Sequence, residues 1–80
     1  MAAPKSVSQA YLLGISEGRA TLRQFQRDGI ATRETIRAAL ENSRECLAMG
    51  FSGDAREAIK GERDFWASQL AKSLQQGARP

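Results

Sequence analysis

The sequence predicts an all-α fold: a helical hairpin or three-helix bundle that dimerises. Three observations lead there. Apolar residues recur at spacings of three and four along most of the 80 residues, and no stretch alternates as a half-buried strand does. Two glycine-bearing breaks, at Gly29 and across Gly50 to Gly53, cut that pattern into three. The chain is also short of core. A globule of 8.7 kDa exposes roughly 4,700 Å² against roughly 12,600 Å² unfolded, burying only about 60% of its surface. A second chain is one way to supply the missing burial. The expectation is a single domain over 6–75, with flexible ends at 1–5 and 76–80.

The first helix is predicted over 6–28. Ser6 or Ser8 caps it by accepting from a free backbone N–H. Tyr11, Ile15, Gly18, Leu22 and Phe25 form its apolar stripe, and Gly29 supplies the left-handed position that ends it. The second helix is predicted over 32–49. Thr32 caps it, Glu34 sits favourably in its positive first turn, and Ile36, Leu40, Ser43 and Leu47 face inward, flanked by Ala39 and Cys46. The third is predicted over 53–75, capped by Ser52 or Asp54. Ile59, Trp66, Leu70 and Leu74 share a side that Phe65 widens, and Gly61 costs it about 1 kcal/mol against Ala. Roughly 22 residues of first helix span about 33 Å, longer than a globule of this mass needs. That length favours an elongated hairpin, with the second and third helices stacked nearly end to end as a bent arm.

Composition argues against an enzyme. There is no His, hence no imidazole base and no common zinc set, and the single Cys46 rules out an internal disulfide. No catalytic residue, metal ligand or cofactor is assigned. Glu62 and Asp64, two positions apart on a helix, project to different sides and do not form a catalytic pair. No apolar run approaches 18 residues, so no membrane span is predicted and the expected location is the cytoplasm.

Three features remain as candidate binding elements. Gly14 and Gly18, four apart between Tyr11 and Leu22, allow another helix backbone to come close, either within the chain or as a dimer seam. Residues 19 to 37 hold five Arg and two acids, which accounts for the whole net charge of +3. Arg19, Arg23 and Arg27 form a ridge there: a solvated face, or a rim for an acidic partner or for phosphate. Phe65 and Trp66 are adjacent, so they point about 100° apart. Trp66 continues Ile59 and Leu70 into the core, which leaves Phe65 for a partner, and the pair supplies the anchor candidates. The stretch from Gly29 to Leu40 is also similar to a helix-turn-helix, reading DNA with Thr32 to Leu40. However, the bulky Phe25 stands where that motif wants a small residue.

The spacing Tyr11, Gly14, Gly18-Arg19, together with Gly61-Glu62-Arg63-Asp64-Phe65-Trp66 and Gln69-Leu70, resembles the short, early-expressed helical-hairpin proteins of temperate Pseudomonas phages, over about residues 8 to 72. One type is the phage quorum-sensing anti-activators. The resemblance implies an all-α homodimer that binds a host protein, either a LuxR-type transcription activator or the ATPase that drives pilus assembly. It carries over no individual target-binding residue. The expected function is therefore a non-enzymatic module that inhibits or redirects a host protein. A DNA-binding regulator is the alternative, and a structural or assembly adaptor the second alternative.

Overall fold

The computed structural model describes residues 8–77, with side chains through residue 73, and it is all-helical: α1 (Gln9–Arg27), α2 (Arg33–Ala48) and α3 (Gly53–Gly77). Ser8 is the N-cap of α1, its hydroxyl accepting from the Tyr11 N–H at 3.0 Å. The alternative cap, Ser6, lies outside the described residues. The helix ends in a Schellman arrangement. Gly29 at φ +71° lets its own N–H reach the Gln26 carbonyl and the Ile30 N–H reach the Phe25 carbonyl. Thr32 caps α2, accepting from the Thr35 N–H at 3.2 Å. Gly50 at φ +90° and Gly53 at φ +63° turn the chain into α3. There the Ser52 carbonyl accepts from the Arg56 N–H, as at a helix start. The third helix runs through Gly77, past its predicted end at 75.

The three helices run up, down and up, with α3 in the middle. Gly14 lies against Ala58 and Gly18 against Phe65, so α1 runs parallel to α3. Ile36 shares a cleft with Ser73 and Ser43 shares one with Trp66, so α2 runs antiparallel to α3. Both helices pack on α3, but their own Cα traces never come within 8 Å of each other. The end-to-end stacking of the second and third helices is thus overturned. The tight turn at Gly50 to Gly53 folds α3 back along α2, so that Ile36 and Leu40 meet Phe65 and Trp66.

Those four side chains are the buried apolar core, with Ile15, Leu22, Phe25, Ala39 and Leu70 packed around them. No large described side chain is less than 2% exposed, which is the shortage of core that the chain length implied. Aromatic contacts bind the centre together: Trp66 stacks on Phe25 at 5.8 Å and meets Phe65 edge-on at 5.0 Å. Such pairs add about 0.5–1.5 kcal/mol beyond their burial. Ser43 is buried with its hydroxyl donating to the Ala39 carbonyl at 3.2 Å. Leu74, predicted on the inner stripe, has no described side chain.

Candidate functional site

Because α1 and α2 diverge, they leave an open groove of about 400 Å³ whose floor is α3. Phe25 and Thr21 form the α1 wall. Thr35, Ala38, Ala39, Asn42 and Ser43 of α2, three of them small, form the other wall. Trp66 and Glu62 of α3 lie at the bottom. Burial pushes the Glu62 carboxyl above its ordinary value, and the negative charge of Glu17 pushes it further the same way. The groove therefore combines an aromatic platform, small walls and a carboxylate that no Lys or Arg lining it relieves.

Towards the α2–α3 turn the surface becomes apolar. Ala10 and Leu13 of α1 share a cleft with Asp54, Ala55 and Ala58 of α3, so the start of α1 lies beside that turn. Leu13 is 56% exposed, Met49 74% and Phe51 43%, with Leu12 also exposed on the first turns of α1. Four large apolar side chains are therefore uncovered at one end of the bundle.

The remaining predicted residues are placed as follows. Gly14 and Gly18 are buried against α3 and pack inside the chain, so the dimer seam proposed through them is not free. A Cβ on Gly14 would lie 1.9 Å from the Ala58 carbonyl oxygen, and one on Gly61 would lie 2.1 Å from that of Tyr11. Gly61 is thus half of the crossing, a role hidden in the sequence behind its helix-breaking cost. Tyr11 and Leu22 are half-buried on the same face. The Tyr11 hydroxyl donates to Asp64 at 2.5 Å, and the Arg63 Nε donates to the same carboxylate at 2.9 Å. That hydrogen bond, together with burial, raises the Tyr11 hydroxyl above its usual value. Burial alone pushes Asp64 up, but the Tyr11 and Arg63 hydrogen bonds and the nearby Arg63 and Lys60 charges together hold it below its usual value.

Phe65 and Trp66 are both buried, at 8% and 4% exposure, so Phe65 is not left over for a partner. The angle between them divides them between two neighbours rather than between core and solvent: Phe65 meets α1 at Gly18, while Trp66 reaches the groove. Arg19, Arg23 and Arg27 are exposed, as a charged rim requires. They do not form one uniform surface, because Arg19 lies in a cleft with Tyr11, Asp64 and Lys72 while Arg27 donates to Gln24 at 2.8 Å. Cys46 is a half-buried free thiol. Among the described residues no group of His, Cys, Asp or Glu could hold a metal, and no helix is long and apolar enough to cross a membrane. No protein-family profile matches the chain, and no curated protein or solved structure is significantly similar to it.

Proposed function

We propose that the chain is a non-enzymatic protein-binding module that inhibits or redirects a partner by occupying it. The observation that supports this reading is the uncovered apolar end, where Leu12, Leu13, Met49 and Phe51 stand exposed. Large apolar side chains gathered at one end of a small protein are costly in water, and such ends are where interaction sites form. The resemblance to short phage proteins makes a host regulator or the pilus-assembly ATPase the target class. Duplex DNA is the less favoured partner. The exposed positions of α2 carry Glu34, Glu41 and Glu45 among Arg37 and Arg44, and those acids repel phosphate. Self-association belongs to the same reading, through the open side rather than the glycine face.

The test is capture from a Pseudomonas lysate by the immobilised chain, followed by mass spectrometry. The expected result is one stoichiometric host protein, lost with Leu13→Ser/Met49→Ser/Phe51→Ser and weakened by Arg23→Glu, with far-UV circular dichroism unchanged in both. Equal capture by the triple variant would overturn the reading. Recovery of the chain alone would favour an assembly adaptor, and a gel shift at micromolar protein in low salt would favour DNA.

A further inference from the structure

Glu62 differs from the other half-buried acids of α3, Glu57 and Asp64, in having no ion pair or hydrogen bond to a basic side chain. Asp64 is held by Arg63 and Tyr11, and Glu57 pairs with Lys60 at 3.2 Å. Glu62 lies at the bottom of the α1–α2 groove, and the charge that acts on it, Glu17, has the same sign. Burying a charge without a partner is unfavourable, so a bound cation would relieve a cost already present in the free protein. The half-buried Phe25, backed by the buried Trp66 on which it stacks, lines the same groove as the carboxylate. A carboxylate next to an aromatic face is the pairing that an ammonium or guanidinium satisfies, by a charge-assisted hydrogen bond to one and a cation–π contact with the other.

The shape of the groove selects how that cation arrives. It is open to solvent and bounded by two helices whose backbones do not approach each other. Ala38, Ala39 and Ser43 keep the α2 wall low, so a helix backbone can settle between α1 and α2 as ridges settle into grooves. The geometry points to an amphipathic helix of a partner protein, lying between α1 and α2 as the fourth member of the bundle and laying a Lys or Arg beside the half-buried Phe25 onto Glu62. This rests on the protein-binding reading and adds the chemistry of the partner: small or apolar residues along one face, interrupted by one central cation. Helix-in-groove recognition of this kind takes its affinity from the apolar anchors and its register from the charge.

The experiment uses the full chain and its one Trp. A displayed library of amphipathic 18-residue helices, varied along one face, is selected against the protein. The enriched peptides are then titrated while Trp66 emission is followed. The expected result is enrichment of Lys or Arg at one fixed position of the varied face, with a change in Trp66 emission on binding. Glu62→Gln should weaken binding about tenfold or more, the effect of losing a close charge pair. It should leave the urea midpoint unchanged or higher, which separates lost binding from lost folding. Ala38→Arg, at an exposed position lining the groove, should place the chain's own cation there and compete; Glu41→Gln on the outer face of α2 should do nothing. Enriched peptides without a basic preference, or indifferent to Glu62→Gln, would overturn the inference while leaving the protein-binding reading intact. So would arginine amide alone shifting Trp66 emission as strongly as the peptides, since that describes a small-cation site. No enriched helix at all would count against both.

Discussion

Replacing Gly61 with Ala opposes two effects of known sign. Helix propensity favours Ala over Gly in a helix interior by about 1 kcal/mol. Against that, the new Cβ would lie 2.1 Å from the Tyr11 carbonyl oxygen and 3.1 Å from the Ile15 nitrogen. Relief needs α1 to retreat by roughly 1 Å, because both atoms belong to the α1 backbone and neither can swing aside. Overpacking of this kind costs about 1–3 kcal/mol, and the upper end applies because the same retreat loosens Gly14 on Ala58 and Gly18 on Phe65. The balance is a net loss of about 2 kcal/mol. In a domain of this size that lowers Tm by roughly 8–16 °C. Urea unfolding followed by Trp66 emission, with thermal circular dichroism beside it, measures the change. Gly18→Ala is the internal comparison. Its Cβ would meet the Phe65 ring at 2.7 Å, and a ring edge can turn away, so propensity and crowding nearly cancel there. If Gly61→Ala proves more stable than the parent by the 1 kcal/mol of propensity, the close crossing of α1 on α3 is wrong.

Tyr11 is the only tyrosine, so phenolate absorbance reads it alone; its midpoint should lie above 10.0 and move back towards that value in Asp64→Asn. The linkage has two signs. The raised Tyr11 stabilises the fold at neutral pH, and that contribution is lost as pH rises through its folded-state range. The lowered Asp64 stabilises above its unfolded value of 3.8, and that contribution is lost as pH falls through its folded-state range. Tyr11→Phe should flatten both limbs of a urea-midpoint profile, at a cost of about 1 kcal/mol for a hydrogen bond that is partly exposed. Trp66→Ala removes the side chain shared by Phe25 and Phe65, at a cost of about 3–5 kcal/mol. In so thin a core that approaches the whole stability, so far-UV circular dichroism at 25 °C should show loss of helix, whereas Trp66→Phe should stay folded.

What the sequence disclosed was local. Ser8, Thr32 and Gly29 announce helix ends because a cap needs only a hydroxyl or a left-handed residue at one position. The inward stripes of α1 and α2 follow from spacing alone. The arrangement of the helices depends on pairings across the chain, and there the reading went astray. Gly14 and Gly18 advertise a close crossing without saying with what. The answer lies in Ala58 and Gly61, small residues three apart, the second of which read only as a helix defect. The length of α1 suggested a bent arm, because helix length alone does not report that the turn at Gly50 to Gly53 reverses the chain. The groove was illegible for a further reason: it is the space left by the divergence of α1 and α2, and Glu62 gains meaning only when Glu17 and Trp66 stand around it.

The central place of α3 has a consequence for how the chain acquires its structure. α1 and α2 are neighbours in sequence but not in backbone contact, so each finds its packing partner only in α3, which follows them both. A nascent chain that has exposed residues up to 52 holds two capped helices whose backbones do not touch and whose common packing surface on α3 is still missing. Tertiary structure must then arrive in one step, when α3 emerges and collects both helices at once. Folding of these three helices is therefore concentrated at the emergence of α3, and truncation through the middle of α3 should release α1 and α2 together rather than one after the other.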